Sequence, residues 1–329
     1  MSTIFFLGAT GYIGGAILVA LRERYPTVVI TALVRNPAHL DKISATGAQV
    51  LQGLFEDLDL ITEQSSLADI VLNAADSDTI SLAQAILKGA KRRADEGKSK
   101  TVLIHTSGVA VFSDGRRDGK YDPNGRLWND NSEQDIKDIT SAKLHGQVDV
   151  PILEAGVEGY IEGYIICPAA VVGAPRGPLG GCSTSFKFIA KLLQSMGRIV
   201  YPGEGSNQFT FVDLDDTVDL FIRVFERARK GAPPGESPYA RYYIATSTAV
   251  DWKTMAVVIG GALARHGKLT DSTAYSIPTS EFGPALEPLL GGSLRIQADR
   301  SKALGWTPRP VDIADYIEGD IDALLSALQ

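Results

Sequence analysis

Three glycines near the start of the chain have the spacing of a phosphate-binding turn. Gly8, Gly11 and Gly14 follow an apolar run at residues 3–7, which predicts a strand, and they precede a helical pattern of apolar residues. Such a turn lets backbone N–H groups approach a dinucleotide pyrophosphate, and the helix N-terminus adds positive potential. The spacing also fits an ordinary strand-to-helix turn, but its position in the chain favours a dinucleotide site. The residues of this turn that we predict to contact the cofactor are Gly8, Thr10, Gly11, Tyr12 and Ile13.

An arginine at the end of the second predicted strand indicates which dinucleotide would bind. Residues 28–34 form a near-continuous apolar run, typical of a parallel strand buried on both faces, and Arg35 follows directly. An acidic residue at this strand end bonds the ribose 2′-hydroxyl of NAD, whereas an arginine suits the 2′-phosphate of NADP. A solvated surface arginine is the alternative interpretation. We predict that Arg35 selects NADP.

The composition is that of an ordinary globular protein and argues against several classes of partner. The chain has 329 residues, of which 44% are hydrophobic and 22% are charged, and its formal net charge is −7. This charge favours neither nucleic acid nor an anionic membrane as a partner, so we expect a small-molecule substrate and leave homo-oligomer formation open. Neither Cys167 nor Cys182 belongs to a cluster with metal-ligand spacing, and we predict no metal site. No run reaches the ~18 apolar residues of a membrane span, and the first strand leaves no room for a secretory signal, so we expect a cytoplasmic protein.

The order of predicted elements indicates an α/β fold. Strands at residues 69–75, 101–107 and 160–167 alternate with helical patterns, which predicts a Rossmann-type, doubly wound parallel sheet. Ligands of such folds bind beyond the carboxyl ends of the strands. We assign residues 1–173 and 208–245 to a dinucleotide-binding domain, with 209–212 returning to its sheet. Residues 174–207 and 246–329 form a smaller C-terminal substrate lobe, with helices predicted at 185–196, 252–266, 279–290 and 311–328.

Several segments resemble the extended, or atypical, short-chain dehydrogenase/reductase family, and within it the fungal epimerase-like and NmrA-like proteins. The resemblance covers almost the whole chain and is carried by residues 8–14, 33–37, 105–112, 165–173, 209–216 and 301–308. It implies further cofactor contacts at Leu54, Ala74, Ala75, Thr106, Pro168 and Val171. Because Leu54 stands where the family has an aspartate, we expect apolar and backbone contacts to hold the adenine.

The family's catalytic residues are only partly matched. Reductases of the family use a serine or threonine together with Tyr-x-x-x-Lys, in which the tyrosine donates a proton and the lysine bonds the nicotinamide ribose. The best helical match is residues 139–143, where Lys143 is in place but Ile139 replaces the tyrosine. Gly108 aligns with the catalytic serine, and Ser107 lies one residue earlier. The predicted catalytic residues are Lys143, Ser107 and, as a substitute acid from a polar lid or disordered stretch at 113–132, Tyr121.

Two histidines near these segments are predicted to be structural. His105 lies on a strand that should be buried, so we expect a hydrogen-bonded core histidine. His145 follows Lys143 by two residues, and on a helix that spacing points it away from the cofactor.

Three functions remain open from the sequence. We predict an NADP(H)-dependent reductase that acts on a small hydrophobic or aromatic molecule and, lacking the tyrosine, prefers imines, enals or activated carbonyls to plain ketones. The alternatives are a non-redox isomerase or epimerase and a non-catalytic NADP(H) sensor of the NmrA-like kind.

Overall fold

The computed structural model describes residues 3–329. Its strands, in chain order, are β1 (Thr3–Leu7), β2 (Val29–Val34), β3 (Gln49–Gln52), β4 (Ile70–Asn73), β5 (Thr101–Thr106), β6 (Trp128–Asn129), β7 (Ile161–Pro168), β8 (Ala170–Val172), β9 (Ile199–Pro202), β10 (Gln208–Asp213), β11 (Tyr242–Ala245), β12 (Thr248–Asp251), β13 (Ala274–Ile277) and β14 (Ile296–Gln297).

The helices of the same residues, in chain order, are α1 (Tyr12–Arg24), α2 (Leu40–Ser44), α3 (Leu58–Leu67), α4 (Ile80–Asp95), α5 (Glu133–Lys137), α6 (Gly146–Glu158), α7 (Thr184–Met196), α8 (Leu214–Lys230), α9 (Trp252–Arg265), α10 (Glu287–Gly291), α11 (Asp299–Ala303), α12 (Ile313–Gly319) and α13 (Ile321–Ala327). None of them is both long enough and apolar enough to span a membrane.

A seven-stranded parallel sheet forms the centre of the molecule. Its strand order is β11-β7-β5-β4-β1-β2-β3, so the order reverses beside β1. Helix α1 packs with α8, and α4 packs with both α3 and α6, which gives the two helical layers that cover the sheet. The inner strands are apolar along their length because both faces are covered, and all of Ile4, Phe5, Phe6 and Leu7 in β1 are buried. The predicted Rossmann-type α/β fold is confirmed.

A second hydrophobic core lies in the C-terminal half of the chain. It surrounds α7 and α9 and includes Phe186, Phe211, Trp252 and Ile259. The prediction that residues 209–212 return to the large sheet is wrong. They lie in β10, which pairs with β8 and β12 in a separate three-stranded sheet. The boundaries that we assigned to the two domains stay a prediction.

The polar stretch at 113–132 is ordered and fixed to the C-terminal half, in contrast to the predicted lid. The Asp114 N–H donates to the carbonyl of Ser293 (3.1 Å), and strand β6 pairs with β14. The buried carboxylate of Asp130 accepts hydrogen bonds from the N–H groups of Ile244, Arg300 and Ser301. Hydrogen bonds to residues more than a hundred positions away therefore hold this stretch in place, although it contains little regular secondary structure.

The helix predicted around Lys143 is absent. Helix α5 ends at Lys137 and α6 begins at Gly146, so residues 138–145 form turns between them. The predicted helix at 279–290 is likewise interrupted, because Gly283 has a φ of +81°.

Candidate active site

A cleft of about 530 Å³ opens at the carboxyl ends of the central strands. It runs from the glycine turn after β1, past the loops that follow β4, β5 and β7, to apolar side chains of the C-terminal half. The predicted cofactor residues that line it are Gly11, Tyr12, Ile13, Ala74, Ala75, Thr106, Pro168 and Val171. The structure thus brings together residues from four loops that are distant in sequence.

The glycine turn has the packing that a pyrophosphate site requires. An ideal Cβ on Gly8 would lie 2.4 Å from the carbonyl carbon of Ala74, and one on Gly14 would lie 2.1 Å from the Gly8 oxygen, so both positions exclude a side chain. Gly11 is exposed to the cleft, and the only protein atom close to its ideal Cβ is the Gly8 oxygen at 3.3 Å. Helix α1 has neither a side-chain cap nor an acidic residue in its first turn. Its first N–H groups are therefore free for an anion, and these residues fit a dinucleotide.

Arg35 and Leu54 lie at the neighbouring strand ends, outside the cleft lining. Arg35 is exposed, and its guanidinium carbon lies 4.3 Å from the centre of the Phe55 ring. Leu54 is exposed as well, and its N–H donates to the carboxylate of Asp57 (2.7 Å). Arg35 follows β2, which pairs with β1, so it stands at the same edge of the sheet as the glycine turn.

Two predicted catalytic residues lie outside the cleft. The Nζ of Lys143 donates to the Ser113 carbonyl (2.9 Å) and lies 4.9 Å from the Trp128 ring centre, in a separate pocket of about 270 Å³. Tyr121 is exposed and has the Arg295 guanidinium 5.9 Å from its ring centre. Since residues 138–145 form turns, Lys143 is not presented to the cleft as a residue of a regular helix would be.

Ser107 borders the cleft, but its hydroxyl is directed into the protein. Its Oγ donates to the carboxylate of Asp149 (2.7 Å), which also accepts from the Tyr242 hydroxyl (2.8 Å). Burial raises the pKa of Asp149 to about 7 and lowers the pKa of His105 to about 3. The Nδ1 of His105 lies 3.1 Å from Nδ2 of Asn73, so the predicted hydrogen-bonded core histidine is confirmed.

His145 is an ionisable residue of the cleft that the sequence interpretation missed, as are Asp76 and Asp78. It lines the cleft, its side chain is 14% exposed, and its Nδ1 lies 3.0 Å from Oδ1 of Asp78. The prediction that it points away from the cofactor is wrong because it does not lie in a helix: it precedes α6 with a φ of 67°. His145 and Asp149 repeat the four-residue spacing of Tyr-x-x-x-Lys, and this is the sequence signal that could have found it.

The surroundings of His145 favour its neutral form. Burial lowers the pKa of the imidazole from its usual 6.5, and the neighbouring carboxylates of Asp78 and Asp76 only partly oppose this effect. Within residues 3–329, no group of three or more His, Cys, Asp or Glu side chains is placed to hold a metal ion.

Comparison with known proteins agrees with this geometry. The model of an NAD(P)H-binding protein family matches residues 8–142. Residues 8–142 are thus similar to NAD(P)H-binding domains, and the chain has a Rossmann-type fold. The chain is 25% identical to the oxidase ucsJ of Acremonium sp over 93% of its own length and 92% of the relative's. It is 28% identical to a UDP-glucose 4-epimerase of Mycolicibacterium smegmatis over 48% of its length and 44% of the relative's.

Solved structures share the fold at lower identity. A dTDP-glucose 4,6-dehydratase of Streptomyces venezuelae with NAD and TYD bound superposes with a TM-score of 0.68, at 15% identity, over 98% of this chain and 97% of that one. A UDP-glucose 4-epimerase of Thermotoga maritima with UDP-glucose gives a TM-score of 0.65, at 14% identity, over 99% and 100% of the two chains.

Proposed function

We propose that the protein is an NADP(H)-dependent oxidoreductase that acts on a small hydrophobic or aromatic molecule. The observation that carries this proposal is the single cleft that joins the glycine turn to an ionisable side chain and to an apolar wall. That wall comes from the C-terminal half and includes Phe209, Leu289 and Leu294. A cofactor and an apolar substrate would therefore meet inside one cleft, next to a group that can carry a proton.

Different residues would bind the pyrophosphate, the 2′-phosphate and the nicotinamide of the cofactor. The free N–H groups at the start of α1 would hold the pyrophosphate, and Arg35 would pair with the 2′-phosphate of NADP through charge-assisted hydrogen bonds. Thr106, Pro168 and Val171 line the same cleft as His145 and would border the nicotinamide ring. The nicotinamide supplies hydride exchange with a substrate carbon.

Redox chemistry is supported over a purely regulatory role by a relative that aligns along almost the whole chain and is named an oxidase. The sensor alternative is supported by the absence of the family's catalytic tyrosine and serine at Ile139 and Gly108, and by the position of Lys143 outside the cleft.

Calorimetry with NADP⁺, NADPH, NAD⁺ and NADH, followed by a spectrophotometric screen of alcohols, ketones, enals and imines, tests the proposal. We expect tighter binding of the phosphorylated cofactors and turnover with at least one substrate class. Tight NADPH binding without turnover on any class would favour the sensor. Failure to bind any of the four nucleotides would overturn the proposal altogether.

A further inference from the structure

The carboxylate of Asp78 fixes the ring of His145. Nδ1 of the imidazole lies 3.0 and 3.1 Å from the two carboxylate oxygens. An ionised carboxylate only accepts hydrogen bonds, so this pairing assigns the ring proton to Nδ1 and leaves the lone pair on Nε2. A neutral ring in this tautomer is a proton acceptor at Nε2.

Asp78 also holds the backbone of His145 in an uncommon conformation. His145 is the one non-glycine residue of the described chain with a positive φ, a conformation that costs roughly 1–2 kcal/mol. Its N–H donates to Oδ1 of Asp78 (3.1 Å), and Nε2 of the Gln147 amide donates to the Asp78 carbonyl (2.9 Å). The loop after β4 thereby fixes the turn that precedes α6.

The opposite side of the ring faces Gly108, at the position that aligns with the family's catalytic serine. An ideal Cβ there would lie 2.7 Å from Nε2 of His145. A side chain at residue 108 would require the imidazole to move, whereas Gly108 leaves the ring in place.

The charged and titratable groups around the ring come from one loop and one strand. Asp76 and Asp78 belong to the loop after β4, where Oδ1 of Asp76 accepts from the N–H groups of Asp78 and Thr79 (2.7 Å each). His105 is buried on β5, close enough for His145 to act on its pKa. The two carboxylates would stabilise an imidazolium formed during a reaction.

We propose that His145, oriented by Asp78, is the group that accepts the substrate's proton during oxidation and returns it during reduction, on a secondary alcohol and its ketone. This inference rests on the proposed function. In the oxidation, the O–H proton passes to Nε2, and the carbinol C–H hydrogen leaves with its electron pair to the oxidised nicotinamide. The carbonyl double bond forms, and the imidazolium then releases its proton to water. The alcohol is oxidised and the cofactor is reduced, so no further co-reactant is required.

With this proton carrier in the cleft, plain ketones and secondary alcohols become suitable substrates. The proposal therefore replaces the expectation that the missing tyrosine restricts the protein to imines and activated carbonyls.

Nitrogen-15 NMR of the imidazole rings in the nucleotide-free protein tests the pair without any turnover. We expect His145, assigned by difference with His145→Gln, to be neutral at pH 7 with its proton on Nδ1. In Asp78→Asn this preference should be lost and the pKa of the ring should fall further. A proton on Nε2 in the wild type would overturn the proposal.

Kinetics then separates the proposal from the function on which it rests. His145→Gln should lower kcat for secondary-alcohol oxidation at least 10²-fold, the usual lower range of general acid–base catalysis, with the Kd for NADP⁺ within about twofold of wild type. His266→Gln, at an exposed histidine after α9, is the control and should keep the wild-type rate. Wild-type turnover with an equal rate for His145→Gln would overturn the inference alone, whereas no turnover by the wild type on any substrate would overturn both.

Discussion

The imidazole of His145 fills the space that a side chain at residue 108 would need. The 2.7 Å between Nε2 and an ideal Cβ on Gly108 is shorter than any real contact of this kind. Gly108 has an extended backbone, with a φ of −158°, so a substitution there is opposed by this contact and not by its own conformation.

Gly108→Ala should therefore displace the ring and lower kcat for alcohol oxidation at least tenfold. The Kd for NADP⁺ should change by less than about threefold, because the substitution is away from the glycine turn. Gly261→Ala is the matched control: its added methyl group would meet only the Arg265 guanidinium, at 3.5 Å. An unchanged kcat for Gly108→Ala, measured at saturating cofactor, would show that the position of the ring does not matter.

Gly11→Val should abolish nucleotide binding in a protein that stays folded. The ideal Cβ of Gly11 meets only one backbone oxygen within the protein but stands in the cleft, where the phosphates would lie. Gly14→Ala is the contrasting variant. Its Cβ would lie 2.1 Å from the Gly8 oxygen inside the protein, so this substitution should also lower the Tm. Calorimetry and circular dichroism measure the two effects, and retained binding by Gly11→Val would place the phosphates elsewhere.

Arg35→Asp should weaken NADPH binding by tenfold or more and leave NADH binding much less affected. Each charge-assisted hydrogen bond to the 2′-phosphate contributes about 1.5–3 kcal/mol, and tenfold corresponds to about 1.4 kcal/mol. Lys268→Asp makes the same change in charge at an exposed position of the C-terminal half and should alter neither affinity. Equal losses for both cofactors would show that Arg35 does not distinguish them.

The stability of the Asp149→Asn variant should rise relative to that of the wild type as the pH rises. The pKa of Asp149 is raised from 3.8 to about 7 in the fold, so the folded protein holds this proton more tightly than the unfolded chain does. Wild-type stability contributed by this group is therefore present at low pH and lost as the pH rises to about 7. The Tm difference between variant and wild type should be more positive at pH 8 than at pH 5, equivalent to about 2–3 kcal/mol between the two pH values.

His105 affects the pH dependence of stability in the opposite sense to Asp149, so the variant has to be compared with the wild type at each pH. Its pKa falls from 6.5 to about 3, so its contribution to stability is present above pH 6.5 and is lost as the pH falls towards 3. Both variant and wild type retain His105, so its burial acts on both and only the part that depends on its 3.7 Å contact with Asp149 enters the difference. A Tm difference that does not vary with pH would mean that Asp149 is ionised in the fold at both values.

The central sheet and the glycine turn could be predicted because their determinants are local. A continuous apolar run specifies a strand buried on both faces, and three spaced glycines specify the turn that follows it. The conformation of His145 depends instead on Asp78, which lies 67 residues away in the sequence. The order of the stretch at 113–132 depends on backbone partners near residue 293, which no pattern within the stretch reveals. Because both contacts are long-range, the local sequence patterns point to Lys143 and Tyr121 and not to His145.

The pH dependence of kcat/KM for secondary-alcohol oxidation, at saturating NADP⁺, tests proton transfer by His145 most directly. Burial lowers the pKa of the ring below 6.5 although Asp76 and Asp78 oppose this, and the neutral ring is the proton acceptor. We predict that kcat/KM falls on the acid side with a midpoint below 6.5, and that His145→Gln loses at least 10²-fold of the activity together with this acid limb. An unchanged acid limb and a wild-type rate in His145→Gln would contradict proton transfer by this residue.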